Sequence, residues 1–352
     1  MIGIRVDANE KIASGHVMRC LSIADAFLSL GEDVTFYTAD TFGSQIIEKR
    51  GHRVICLESD WNDKESELPV LLPLLKEHEV GLLLVDSYQV TEGYLAALRQ
   101  RVRLAYLDDL AAFDYPADLV INYAIGARRE DYPEVSKTAA DKAYLIGPSY
   151  APLRKQFLIG EEELADAIRR RMLKKQILIT TGAADPFRVA DQTVRAILAC
   201  PELDDYGLLI IKGRFREDLD DRSVALLADA KKAGRIRIFE DVDDMATLML
   251  QSTFAVSAGG STLYELSACL VPTVTFSYAD NQFANVKGFS DKELMIYAGD
   301  VRDTEEIGSD IVKALLVYHR EPGRALAAQD KMRKLCFRDG AERLARSLLA
   351  SK

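Results

Sequence analysis

The sequence predicts an α/β protein made of two doubly wound domains, each a parallel sheet covered on both faces. Three observations lead there. Short β-rich runs alternate with helix-length periodic segments through the first half of the chain, the rhythm of a parallel sheet with crossover helices. A charged, helix-prone stretch, "EEELADAIRRRMLKK", then interrupts the rhythm, which restarts at "QILITTG", residues 176–182. Finally, 352 residues with 48% hydrophobic and 28% charged side chains exceed a typical single domain and supply apolar surface for two cores.

In the first half the candidate strands are residues 2–7, "DVTFYT" at 33–38, "RVICL" at 53–57, "GLLLVD" at 81–86, "VRLAYLD" at 102–108 and "DLVIN" at 118–122. All are rich in β-branched, aromatic or leucine residues, and the first four are separated by segments of helix length. After residue 176 come "QILITTG", "YGLLII", "RIRIF", "TFAVSAG" and "PTVTFS", again separated by helical patterns. The tail from 304 to 352 is rich in Ala, Leu, Arg and Glu and reads as helix. The expected division is therefore 1–155, 156–320, and C-terminal helices over 321–352 that can pack back across the domains. In open α/β sheets ligands bind beyond the carboxyl ends of the strands, so the turns after those runs are where chemistry is sought.

Charge and cysteine content narrow the partners. The net charge is −10, from 45 basic and 55 acidic residues, without a long basic run. That argues against nucleic acid or an anionic membrane as a partner. Cys20, Cys56, Cys200, Cys269 and Cys336 form no CxxC pair and read as reduced thiols of a cytoplasmic protein. No apolar run approaches the length of a membrane span, and the N-terminus lacks the pattern of a secretory signal.

The most informative turn lies in "FAVSAGGSTLYELSAC", residues 254–269, where a strand runs through Gly259 and Gly260 into Ser261, Thr262 and a helix. Two glycines allow close backbone approach to a ligand, and unpaired helix N–H groups suit a pyrophosphate. Glu265, one turn on from Ser261, is positioned to accept from a ribose hydroxyl. The Thr262-x-x-Glu265 spacing also fits a capping box, which needs no ligand. Downstream, "YADNQFANV" sets Asn281, Gln282 and Asn285 at the start of a helix, where they suit sugar hydroxyls or ordinary capping.

A second turn, "SGHVMR", follows the first strand. Gly15 permits a tight turn, and His16 then projects from the first turn of a helix with Arg19 on the same side. The positive end of the helix dipole favours a neutral imidazole, the form able to accept a proton; capping or packing is the alternative. "VDSYQV" ends a strand in Asp86, Ser87 and Tyr88, and "YLDDL" ends one in Asp108 and Asp109. Such carboxylates either orient a base, bind sugar hydroxyls or cap the next helix. "EDVDDM", residues 240–245, places Asp241 and Asp243 at a helix start, where acidic residues complement the dipole without a metal. No HExxH, no zinc-type His/Cys spacing, no GxSxG, no GxxxxGK[ST] and no GxGxxG after the first strand is present, so neither a metal nor a dinucleotide cofactor is expected.

These segments occur in a fixed order: Asp7 at the end of the first strand, "SGHVMR", "VDSY", "LDD", "IN", "IGPSYAPLRKQF", "TGAAD" and "SAGGSTLYEL…ADNQ". In that order they resemble the UDP-sugar hydrolases of pseudaminic acid biosynthesis and the SpsG-type spore-coat polysaccharide proteins. Both are similar to the GT-B glycosyltransferase that makes lipid II. The resemblance spans roughly residues 1–300 and weakens in the C-terminal helices. It implies two Rossmann-like domains with a cleft between them, UDP held mainly by the second, and no metal or redox cofactor. The implied reaction is attack of water on the anomeric carbon of UDP-2,4-diacetamido-2,4,6-trideoxy-β-L-altrose, with inversion and release of UDP.

By the same resemblance His16 is the general base, with Gly15 and Arg19 beside it, and Asp86 and Tyr88 lie near the sugar. Asn122, Tyr150 and Arg154 line matching segments. Gly259, Gly260, Ser261, Thr262 and Glu265 contact UDP, and Gln282 and Asn285 face the donor sugar. The "TGAAD" turn, Thr181 to Asp185, departs from the family's "GGTD"-like turn. Two other readings stand beside the hydrolase: a glycosyltransferase using the same donor, and a non-catalytic nucleotide-sugar binding protein.

Overall fold

The computed structural model describes residues 1–9, 15–132, 142–182, 185–213, 228, 234–335 and 337–350. The chain divides into two units, one made of Met1–Lys155 with Asp339–Lys352, the other of Gln156–Arg338.

In the N-terminal unit seven strands run β1 (Ile2–Val6), β2 (Val34–Thr38), β3 (Arg53–Cys56), β4 (Leu82–Asp86), β5 (Arg103–Leu107), β6 (Leu119–Asn122) and β7 (Ala143–Ile146). Their spatial order is β3-β2-β1-β4-β5-β6-β7, every pairing parallel. Ile4 of β1 stands opposite both Phe36 and Leu84. The two-residue period of the strands sends alternate side chains into two cores. Ile2, Ile4, Val6, Leu82 and Leu84 pack with Val17, Ile23 and Phe27 of helix α1 (Gly15–Ser29) and with Ile47 of α2 (Ser44–Lys49). Leu83, Val85, Tyr37 and Leu104 pack on the other side with Leu71 and Leu75 of α3 (Leu68–Glu77) and Leu95 and Leu98 of α4 (Glu92–Arg99). That double burial is why the central strands read as unbroken apolar runs rather than alternating ones.

Arg5 is the exception on β1, wholly buried on the second face. It is tolerated because Glu67 accepts from Nε at 2.7 Å and from Nη2 at 2.5 Å, while Asp7 accepts from Nη1 at 2.6 Å. Lys64 donates to the other Asp7 oxygen at 2.5 Å, and Tyr94 donates to Glu67 at 2.6 Å. A buried ion network with its hydrogen bonds satisfied thus ties the β3–α3 connection to the end of β1.

The second unit carries six strands: β8 (Gln176–Thr180), β9 (Gly207–Lys212), β10 (Ile236–Glu240), β11 (Phe254–Ala258), β12 (Thr273–Ser277) and β13 (Ile296–Asp300). They are ordered β10-β9-β8-β11-β12-β13, again all parallel. Described helices are α5 (Glu161–Lys174), α6 (Val189–Leu198), α7 (Met245–Gln251), α8 (Thr262–Ala268), α9 (Asp280–Asp291), α10 (Ile307–Arg320) and α11 (Pro322–Leu335). The core joins Ile177, Ile179, Ile210, Val256 and Val274 to Val194, Ile197, Ile311 and Leu315.

Strands β7 and β13 have no counterpart among the sequence expectations. Both are edge strands of four or five residues, only partly buried, and β13 contains Gly299 at φ +131°. Short, half-wet strands lack the apolar density that marks the central ones.

The helices of the C-terminal tail, expected over 321–352 as able to pack back across the domains, fall in both units. Helix α11 belongs to the second unit, whereas α12 (Gly340–Ala350) packs on α1 of the first through Leu344 and Leu348. Gly340 permits that docking, because a Cβ there would lie 2.1 Å from the Ala151 carbonyl oxygen. Arg343 adds a hydrogen bond to the Ser149 carbonyl at 2.9 Å.

Candidate functional site

In the N-terminal sheet the strand order reverses between β1 and β4, the place where doubly wound folds bind ligands. Helix α1 follows β1, and Asp86 ends β4. Because residues three and four apart share a helix face, α1 turns His16, Arg19 and Cys20 together onto that one carboxylate. His16 Nδ1 lies 2.6 Å from Asp86 Oδ1. Arg19 donates from Nε to Oδ2 at 2.7 Å and from Nη2 to Oδ1 at 2.6 Å, and the Cys20 thiol reaches Oδ2 at 3.4 Å.

The network assigns the imidazole tautomer. Arg19 Nη2 also approaches His16 Nδ1 to 3.1 Å, but guanidinium nitrogen is never an acceptor. A bare Nδ1 at 2.6 Å from a carboxylate oxygen would set two lone pairs against each other. In the neutral imidazole Nδ1 therefore carries the proton and donates to Asp86, and the lone pair lies on Nε2. Asp86 is only 1% exposed, and burial alone would raise its carboxyl; Arg19 first, then His16, instead hold it well below the usual carboxylate range. Burial likewise opposes the Arg19 charge, but Asp86, Tyr123 and Asp109 push its guanidinium well above the ordinary value.

Two further side chains complete the cluster. Asp109 Oδ2 accepts from Arg19 Nη1 at 2.8 Å and from the Tyr88 hydroxyl at 2.7 Å. The Tyr88 ring meets the His16 ring edge-on, with centroids 4.8 Å apart and planes at 82°. Tyr123 lies 3.1 Å from Arg19 Nη1 through its hydroxyl. The adjacent Asp108 does different work: it is fully buried and accepts from the N–H groups of Leu110 and Ala111 and from the Tyr115 and Tyr132 hydroxyls. Of the Asp108-Asp109 pair, one carboxylate holds the turn and the other binds Arg19 and Tyr88.

Several residues expected at a ligand have their polar atoms engaged within the protein. Arg19 directs its donors at Asp86, Asp109 and Tyr123. Asn122 is buried, donating to the Tyr132 hydroxyl at 2.8 Å and accepting from Ala124 N–H at 2.9 Å. Tyr150 packs against the core shared by α1 and α12, and Arg154 is partly buried in the same unit. Gly15 is the first residue of α1; its φ lies outside the left-handed region and a Cβ there would meet nothing within 4 Å. The reason expected for that glycine, a tight turn at its own position, is therefore absent. Residues 10–14 lie outside the described residues.

The second sheet reverses between β8 and β11, and the Gly259-Gly260 turn follows β11. The two glycines differ. A Cβ on Gly259 would come within 2.4 Å of Val286 Cγ1 and 3.0 Å of Gln282 Cβ, so this glycine lets α9 pack close against the turn. Gly260 faces open space. Asn285 braces the turn, donating to the carbonyls of Gly259 at 2.9 Å and Gly260 at 3.1 Å and accepting from Tyr264 at 3.0 Å.

Ser261 is the N-cap of α8, but its side chain makes no capping bond, and Thr262 is the first helical residue. The capping-box alternative therefore fails: Glu265 sits too far along the helix to reach back as its acidic member. Among the described residues the Ser261 and Thr262 hydroxyls have no partner. Gln282 accepts from Tyr278 N–H at 3.0 Å through its carboxamide oxygen.

Two other acidic positions are caps. Asp185 accepts from Val189 N–H at 2.8 Å and Ala190 N–H at 3.0 Å at the start of α6, and Gly182 adopts φ +86°. Residues 183–184 of the "TGAAD" turn lie outside the described residues. Asp244 caps α7, accepting from Thr247 N–H at 3.1 Å and from its hydroxyl at 2.6 Å. Among the described residues no group of three or more His, Cys, Asp or Glu side chains is arranged to hold a metal, and no helix is long and apolar enough to cross a membrane. Cys20, Cys56, Cys200 and Cys269 are free thiols; Cys336 lies outside the described residues.

MurG of Acinetobacter baumannii superimposes over 99% of both chains with a TM-score of 0.70 at 13% identity. The fold is GT-B. HepE of Anabaena, solved in complex with UDP, matches over 100% of both chains with a TM-score of 0.60 and 13% identity. By sequence, the chain is 24% identical over 304 residues to the spore coat polysaccharide biosynthesis protein SpsG of Bacillus subtilis, 85% of this chain and 83% of that one. An uncharacterized protein of Methanocaldococcus jannaschii is 26% identical over 288 residues, 78% of this chain. The alignment spans only 54% of that relative's length. No protein-family model matches the chain.

Residues that the sequence reading left out of the site are Asp109, Tyr123 and Cys20. Cys20 had a readable signal, since it lies four residues from His16 on one helix face. Tyr123 and the choice between Asp108 and Asp109 depend on which way side chains leave a strand end, and no spacing rule gives that.

Proposed function

We propose that this chain releases UDP from a UDP-sugar, with water activated by His16 attacking the anomeric carbon. The observation that carries the reading is the His16–Asp86 pair: Nδ1–H on a buried, ionised carboxylate, with the free lone pair on Nε2. In the proposed step Nε2 takes a proton from water while the oxygen forms a bond to the anomeric carbon. The bond from that carbon to the diphosphate oxygen breaks, and its electron pair leaves on UDP. Attack from the face opposite the leaving group inverts the centre. Asp86 then stabilises the imidazolium that results, the general role of a carboxylate behind a histidine base.

Within the second unit, the proposed diphosphate contacts are the Gly260–Thr262 backbone and the Ser261 and Thr262 hydroxyls, which offset charge gathering on the leaving group. Glu265 is assigned to the ribose and Gln282 to the sugar. The relation to SpsG supports a place in polysaccharide biosynthesis, and the UDP complex of the GT-B neighbour HepE supports the nucleotide. The finer substrate, UDP-2,4-diacetamido-2,4,6-trideoxy-β-L-altrose, is proposed from the ordered motifs.

Transfer to a sugar hydroxyl instead of water is the second reading, favoured by solved neighbours that are glycosyltransferases, such as the spinosyn forosaminyltransferase SpnP. The same base serves either nucleophile. Incubation with UDP-diacetamido-sugars and no acceptor separates the readings. Rapid UDP release, with an inverted reducing sugar, supports hydrolysis, and His16→Ala is expected to slow it by about 10²–10⁴-fold with UDP affinity unchanged. Release only after an acceptor is added favours transfer. Tight UDP-sugar binding without turnover under either condition leaves a binding protein.

A further inference from the structure

We propose that Asp109 is a positioning residue for His16, acting through Tyr88 and Arg19 without touching the substrate. The side chains form a closed ring. His16 bonds Asp86, Asp86 holds Arg19, Arg19 reaches Asp109 at 2.8 Å, Asp109 accepts from Tyr88 at 2.7 Å, and the Tyr88 ring returns edge-on to His16 at 4.8 Å. The Nδ1–H bond to Asp86 fixes one direction of the imidazole but leaves the ring free to rock about that bond. The edge of Tyr88 removes this freedom. Tyr88 is 45% exposed, so packing alone does not hold it, whereas a charge-assisted hydrogen bond to Asp109 does.

Asp109 also sets the charge of the ring. Arg19 sits between two carboxylates, so the ring carries one net negative charge while His16 is neutral. It becomes neutral when His16 accepts a proton. Asp109 thus aims Nε2 and supplies the charge that an imidazolium needs.

The role rests on the proposed base chemistry, so its test includes a readout independent of turnover. The chain has four histidines, few enough for long-range ¹H–¹⁵N spectra to resolve each ring, with His16 assigned by comparison with His16→Gln. Asp109→Asn, Tyr88→Phe and the double variant are compared with the parent. The parent is expected to show the Nδ1–H tautomer, and each single variant the same tautomer with shifted and broadened His16 ring signals, as a ring free to rock about its Asp86 bond gives. UDP release is expected to fall by about 10–100-fold, the range that misplacement of a catalytic group gives, with UDP affinity unchanged.

Tyr88→Phe removes the Tyr88–Asp109 bond, which Asp109→Asn weakens while also losing the charge paired with Arg19, so the double variant should be no slower than the slower single. Tyr88→Phe removes only a hydroxyl from an exposed ring and keeps the comparison available if Asp109→Asn folds poorly. Unaltered His16 signals in both single variants, or losses that multiply in the double, overturn the proposal. A parent that shows the Nδ1–H tautomer but releases no UDP overturns the hydrolase reading instead, and the spectra of the variants still decide the positioning role.

Discussion

Asp86→Asn is the substitution that tests the site most directly. In the parent, Asp86 receives three short bonds from charged or ring donors: His16 Nδ1 at 2.6 Å, Arg19 Nε at 2.7 Å and Arg19 Nη2 at 2.6 Å. Removing one partner of a buried ion pair destabilises by about 3–5 kcal/mol. Arg19 keeps Asp109 and the Tyr123 hydroxyl and is 13% exposed, so the lower end, about 3 kcal/mol, is expected.

The effect on turnover has a separate origin. A carboxamide can present an N–H to Nδ1, which moves the imidazole proton to Nε2 and removes the lone pair that accepts from water. A loss of about 10³-fold, or about 4 kcal/mol of barrier, is expected within the range for general-base catalysis. Steady-state UDP release and urea unfolding measure the two effects, and UDP affinity should not change. An Asp86→Asn variant that turns over within threefold of the parent refutes the assigned tautomer and the role built on it.

Further substitutions probe the turns and the termini. Gly259→Ala should destabilise the second unit by about 2 kcal/mol, because its Cβ would fall 2.4 Å from Val286 Cγ1. Gly260→Ala, which meets only open space, should leave stability intact and weaken UDP binding; calorimetry with UDP and thermal melts separate the two cases. Gly340→Ala drives a Cβ to 2.1 Å from a backbone oxygen and should loosen the C-terminal helix, read as faster proteolysis of the tail and a loss of about 3 kcal/mol in urea. Acid should destabilise the N-terminal unit. Burial raises the Asp7 and Asp86 carboxyls, but Arg5 with Lys64 and Arg19 with His16 hold both below the ordinary value. Their contribution is whole above the unfolded carboxylate pKa of about 3.9 and is lost as pH falls toward the lower folded values. Urea midpoints between pH 7 and pH 3 should fall accordingly, and less so in Asp86→Asn.

How much of the molecule was legible depends on how locally each feature is encoded. Central strands such as Leu82–Asp86 and Phe254–Ala258 were plain because burial on two faces demands unbroken apolar runs. The edge strands Ala143–Ile146 and Ile296–Asp300 were not, since half-buried edges relax that demand. Motif spacing drew attention to His16, Arg19, Asp86 and Tyr88, which the fold does bring together. What spacing did not show is that Gly259 packs against Val286 and that Asn285 donates to the Gly259 and Gly260 carbonyls.

By itself the sequence determined the two doubly wound sheets, the strand ends that bear polar residues, and a histidine placed early on a helix after the first strand. Those features follow from periodicity and turn chemistry, which act over a few residues. Only the tertiary structure decided that Asp86 rather than Ser87 meets His16, that Asp109 rather than Asp108 meets Tyr88, and that residues 340–350 return to the first unit. Each of these joins atoms far apart in the chain, and their pairing is set by strand order and packing rather than by any local preference.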